Sequence, residues 1–68
     1  MPVIVEYSGG VVTVKGQLDG QQVSVYNLSG QMLGSAVLHN GATSARVGSQ
    51  RAPILVKIGR RTIKISEL

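Results

Sequence analysis

Short stretches of alternating apolar and polar residues, each closed by a glycine-bearing turn, recur along the whole chain. No apolar spacing of three or four residues competes with them. Alternation puts successive side chains on opposite faces of a strand, whereas a helix needs apolar positions at a period of about 3.6 residues. The chain is therefore expected to be all-β and antiparallel. Val3, Val5 and Tyr7 alternate with Ile4 and Glu6, and Gly9-Gly10 supplies a two-residue hairpin turn into Val12 and Val14. That turn predicts Tyr7 opposite Val12 and Val5 opposite Val14, with Glu6 and Lys15 diagonal on the other face.

The next turn signal, Asp19-Gly20, predicts a second hairpin with Gly16 opposite Val23 and Val14 opposite Val25. A third strand from Gln22 to Leu28 runs into Asn27-Leu28-Ser29-Gly30, with Gly30 suited to a positive φ. A fourth strand, Gln31 to His39, meets Asn40-Gly41, the strongest hairpin dipeptide in the chain. It predicts Leu38 opposite Thr43 and Ala36 opposite Ala45 in a fifth strand, Ala42 to Val47. Gly48 to Pro53 is the longest connection, and Pro53, which has no N–H to give, belongs at an edge or at the start of the sixth strand. There Ile54, Val56 and Ile58 share one face, and Leu55 and Lys57 the other. Gly59-Arg60 is a Gly-first turn of the II′ kind that sets Ile63 opposite Val56 and Ile65 opposite Ile54 in a last strand, Arg61 to Ser66. Seven short strands with regularly spaced turns predict a sandwich or a small barrel, with residues 1–68 forming one domain. The first and last strands are richest in β-branched residues and are expected at central positions.

Composition bounds the function. At 68 residues with 43% apolar content, the chain is long enough for one small core and no more. It has no cysteine, one histidine and three acids, which excludes disulfide staples and leaves too few ligands for a structural zinc site. No metal or other cofactor is expected. Ser8, Ser24, Ser29, Ser35, Ser44, Ser49 and Ser66 are candidate nucleophiles, but the one imidazole, His39, sits beside the Asn-Gly turn with no acid near it in sequence. Glu6, Asp19 and Glu67 are widely separated, and the glycines precede strands rather than a helix that would hold phosphate. The chain is expected not to be an enzyme. No apolar run approaches the roughly 18 residues of a membrane span, so no membrane insertion is expected.

Seven Lys and Arg against three Asp and Glu give a net charge of +4. A basic balance raises nucleic-acid binding, yet Tyr7 and Tyr26 are the only aromatic residues, too few for a stacking platform. Nucleic acid is therefore not the expected partner. Lys57, Arg60, Arg61 and Lys64 crowd the last hairpin, with Arg46 and Arg51 upstream. Lys57 and Lys64 are expected on one outward face. Cations on an exposed strand discourage edge-to-edge pairing; they also make a recognition patch for an acidic surface.

Two segments carry a resemblance. Val23-Ser24-Val25-Tyr26-Asn27-Leu28-Ser29-Gly30-Gln31-Met32-Leu33 resembles the "V-x-I-Y-D-x-x-G-R-x-V" segment of the C-terminal sorting domains of the type IX (Por) secretion system. Pro53-Ile54-Leu55-Val56-Lys57-Ile58-Gly59-Arg60-Arg61-Thr62-Ile63-Lys64-Ile65 resembles that family's "G-x-Y-I-V-K-I-x-x-x-x-x-K-I" ending, and Asn40-Gly41 stands between them as its Asn-Gly turn does. The similarity runs in order from about Val3 to Leu68. Asn27 stands where the family commonly has aspartate, Gln31 where it has arginine or lysine, Ala52 where it has glycine and Ile54 where it has tyrosine.

The resemblance implies a small Ig-like antiparallel β-sandwich of about seven short strands at the C-terminal end of a longer secreted protein. It implies passage through the periplasm to the cell surface or the medium, with an upstream cargo domain as covalent partner. The outer-membrane secretion machinery and a sortase-like protease would recognise the domain, which is itself ligand and substrate. By motif position, Gly30, Lys57, Gly59, Lys64 and Leu68 are the implied signal residues. Two other functions fit the composition. One is a structural Ig-like appendage of a secreted or surface protein; the other is a small basic β-barrel that binds nucleic acid.

Overall fold

A computed structural model describes residues 3–16, 20–50 and 53–66. Seven strands form: β1 (Ile4–Ser8), β2 (Val11–Lys15), β3 (Gln22–Asn27), β4 (Met32–Val37), β5 (Ala42–Arg46), β6 (Ile54–Ile58) and β7 (Arg61–Ile65). They make a three-stranded sheet, β1-β2-β5, and a four-stranded sheet, β4-β3-β6-β7. Every pairing is antiparallel. The fold is all-β, a small sandwich of two sheets.

The two hairpins at the chain ends follow the turn chemistry. Tyr7 faces Val12 and Val5 faces Val14, with Glu6 beside Thr13 and Lys15 beside Ile4. Ile63 faces Val56 and Ile65 faces Ile54 across the Gly59-Arg60 turn. Gly59 has φ +57 and Arg60 is not among the positive-φ residues, as a Gly-first turn requires. The β3–β4 turn also forms where expected.

The other two expected hairpins do not extend into strand pairs. Asp19 lies outside the described residues, but the strands on either side of it belong to different sheets. Val14 pairs with Val5 and Thr43, and Val25 with Gly34 and Val56. Both valines are fully buried in one core, reached from opposite sheets. Pairing β2 with β3 in a single sheet would leave their shared apolar face needing another cover. Crossing over lets one sheet cover the other.

Asn40-Gly41 does form its two-residue turn, with φ +53 and +80 and reciprocal backbone hydrogen bonds of 3.1 and 3.2 Å between His39 and Ala42. Pairing stops at that bridge. Leu38 turns inward and is 1% exposed, while Ala36 pairs with Val23, and Thr43 and Ala45 pair with Val14 and Val12. Leu38 keeps its backbone bonded on the β3 side, its amide donating to Gln21 O at 2.9 Å and its carbonyl accepting from the Gly20 amide at 3.0 Å. Its side chain is therefore buried between the sheets with no backbone bond lost. β4 also carries a bulge that the alternation did not signal. Val25 faces Gly34 and Tyr26 faces Met32, leaving Leu33 as the extra residue, packed against the core.

β1 and β7 are edge strands, not central ones. Their inward residues Val5, Tyr7, Ile63 and Ile65 are only partly buried, whereas Val12, Val14, Val23, Val25 and Val56 on β2, β3 and β6 are fully buried. β-Branched content reports fitness for a pleated surface, not position within a sheet.

Tyr7 ties this edge to the longest loop. Its hydroxyl donates to Gly48 O at 2.7 Å and accepts from the Gln50 amide at 3.0 Å. The Gln50 side-chain amide donates to Val47 O at 2.7 Å. Removing the hydroxyl by Tyr7→Phe takes away two hydrogen bonds with little change in apolar area. We expect a loss of about 1–2 kcal/mol by urea denaturation and faster amide exchange at Gln50; an unchanged midpoint would show that the loop holds without the tyrosine.

Candidate recognition surface

The outer face of the four-stranded sheet carries the cationic hairpin. Register places its side chains in two rows across the strands. One row reads Met32, Tyr26, Leu55 and Lys64, and the next reads Ser35, Ser24, Lys57 and Thr62. The first row is an apolar band that ends on an ammonium group; the second is a hydroxyl band with an ammonium group within it. A shallow groove of about 400 Å³ opens on this face, lined by Gln21, Gln22, Ser24, Tyr26, Met32, Lys57 and Gly59. Ser24, in the lining, is only 8% exposed despite its outward position between Ser35 and Lys57.

Three of the five sequence-predicted residues come together here. Lys57 and Lys64 are both exposed on the outer face, on adjacent strands and in neighbouring rows. Gly59 begins the turn that joins their strands and donates its amide to Gln22 O at 3.3 Å. Its φ of +57 favours glycine there, while the nearest group to an added methyl is the end of the exposed Gln21 side chain, which can swing aside. Gly30 lies at the opposite end of the sheet. Its turn follows Asn27, which pairs with Ile54 at the start of β6, while Gly59 follows the end of β6. Leu68 lies outside the described residues.

Gly30 closes a tight turn, with φ +85 and its amide donating to Asn27 O at 3.1 Å. The side chains of Asn27 and Gln31 clamp the same turn. Asn27 Nδ2 donates to Gln31 Oε1 at 2.9 Å, and the Gln31 amide donates to Asn27 Oδ1 at 3.0 Å. Asn27 and Gln31 are thus partners of each other, a neutral amide pair across the turn.

The remaining polar candidates are dispersed. His39 is exposed at the Asn-Gly turn, and Arg46 is exposed at the end of β5 in the other sheet. Arg60 and Arg61 are exposed at the β6–β7 turn, and Arg51, Asp19 and Glu67 lie outside the described residues. Among the described residues Glu6 is the sole acid, and it faces outward on the three-stranded sheet. The cations of the last hairpin therefore share their face with no described carboxylate.

Sequence reasoning found the lysines but not the surface between them. Alternation does assign Gln22, Ser24 and Tyr26 to the face opposite Val23 and Val25. That β3 lies between β4 and β6, joining Tyr26 to Leu55 and Ser24 to Lys57, is set by pairing between distant segments. Comparison with protein-family models, with curated proteins and with solved structures returns no match to this chain.

Proposed function

We propose that this chain is a sorting domain of the type IX secretion kind, which directs the protein that carries it across the outer membrane. The observation that carries the proposal is the gathering of Lys57, Gly59 and Lys64, implied as signal residues by resemblance, on one exposed hairpin. A recognition tag needs a stable scaffold that holds a distinctive charge pattern outward, and this hairpin has that form. The domain acts as ligand and substrate of the secretion machinery and its protease, not as a catalyst. Its place is the periplasm in transit and the surface or medium at the end.

The test is a secretion assay. The chain is fused to the C-terminus of a periplasm-targeted fluorescent protein in a host with a working type IX system, beside Lys57→Ala/Lys64→Ala. We expect surface or medium fluorescence from the intact fusion and periplasmic retention of the double variant. Export of both clears the lysines and leaves the signal elsewhere in the domain. Retention of both overturns the proposal and favours the structural appendage.

A further inference from the structure

Among the described residues, β7 has β6 on one side and no strand on the other. The register shows which of its backbone groups are spent. The Gly59 amide bonds Gln22 O, so in β6 the odd-numbered amides and carbonyls point to β3 and the even-numbered ones to β7. Ile54, Val56 and Ile58 pair with Ile65, Ile63 and Arg61, which leaves the N–H and C=O groups of Thr62 and Lys64 directed away from the sheet. These are the groups an added strand would use.

The two faces along that edge differ in chemistry. On the core side, Ile63 and Ile65 are only partly buried, so apolar surface remains for a neighbour to cover. On the outer side, Lys64 stands at the edge with Leu55 behind it and Lys57 in the neighbouring row behind Thr62. Arg60 lies at the turn, and Arg61, exposed at the start of β7, shares the alternation of Ile63 and Ile65. A complementary strand has apolar residues beside Ile63 and Ile65 and acidic residues beside Lys64.

We propose that the free edge of β7 binds an extended segment of a partner protein in which apolar and acidic residues alternate, extending the four-stranded sheet by one strand. Main-chain hydrogen bonds to Thr62 and Lys64 supply affinity and the side-chain alternation supplies specificity. A second copy of β7 matches the apolar side but adds the cations Arg60, Arg61 and Lys64 to an edge that already carries them, and like charges brought close across a strand pair destabilise it. Charges of one sign on an edge thus exclude self-pairing and select an acidic partner. As a statement of what the secretion machinery recognises, the proposal rests on the sorting function; as a property of the edge, it is testable without a secretion host.

The probe is a labelled strand-length peptide of alternating valine and glutamate, titrated against the full chain. Its controls are the valine–lysine peptide and a single-stranded oligonucleotide. We expect the acidic peptide alone to bind, weakening with salt, and to slow exchange of the Thr62 and Lys64 amides. Arg61→Glu/Lys64→Glu should weaken binding roughly tenfold. Thr62→Pro removes an outward N–H without touching the β6–β7 ladder and should also cost roughly tenfold while leaving the urea midpoint near native. Protection confined to β1, or oligonucleotide binding as tight as the peptide's with no protection in β7, overturns the proposal. So does self-association of the chain that the peptide fails to compete. Export of the fusion without peptide binding sinks this proposal and spares the sorting function; peptide binding without export does the reverse.

Discussion

An Ile54→Ala chain is expected to be largely unfolded at physiological temperature. Ile54 is completely buried at the start of β6, paired with Asn27 on one side and Ile65 on the other. It belongs to the single cluster that both sheets share. Truncating a fully buried isoleucine to alanine costs about 2–5 kcal/mol, the transfer term plus the cavity left behind. A domain of this size with no cysteine to form a disulfide draws roughly 3–5 kcal/mol from its core. The loss is therefore comparable with the whole stability. Ile54→Val removes one methylene and should cost only about 0.5–1.5 kcal/mol. Leu28→Ala, at an exposed turn position, should stay within about 0.5 kcal/mol of native. Urea unfolding followed by far-ultraviolet circular dichroism separates the three, and a native midpoint for Ile54→Ala would refute the single-core account.

The second large effect is expected at Gly10 and should not be shared by its neighbour. Both glycines of the first turn have positive φ, +59 at Gly9 and +80 at Gly10. A methyl group on Gly9 meets open space, so Gly9→Ala carries only the left-handed backbone cost of about 1–2 kcal/mol. A methyl group on Gly10 would lie 3.2 Å from the Cα and carbonyl carbon of Gly48, backbone against backbone. Gly10 O also accepts the Val47 and Gly48 amides at 2.9 and 3.0 Å, the contact that joins the first hairpin to the long loop. Gly10→Ala adds overpacking of about 1–3 kcal/mol to the same backbone cost, and the loop cannot withdraw without losing those bonds. Equal midpoints for the two alanine variants would mean that the clasp yields freely.

What was legible in the sequence was local. Tyr7 opposite Val12 and Val56 opposite Ile63 were readable because a two-residue turn fixes register and alternation checks it. Inward and outward faces were readable too, so spacing alone puts Lys57 and Lys64 on one face of their hairpin. The β4 bulge was not readable, since Leu33 sits in a run where either neighbour could have kept the alternation. The two hairpins that failed to extend did so for one reason. Asn40-Gly41 makes its turn, and nothing in the dipeptide says that the Leu38 backbone will bond Gly20 and Gln21 rather than the strand beyond the turn.

Strands, turns, both terminal hairpins and the cationic face follow from the order of residues along the chain, because each depends on neighbours a few positions apart. Tertiary packing alone puts β3 between β4 and β6, joins β2 to β5, and makes edges of β1 and β7. Those outcomes depend on how two apolar faces cover each other, and burial carries no directional label in the sequence. The face that joins Tyr26 and Ser24 to the lysines of the last hairpin, and the free edge beside Lys64, exist only because of that packing.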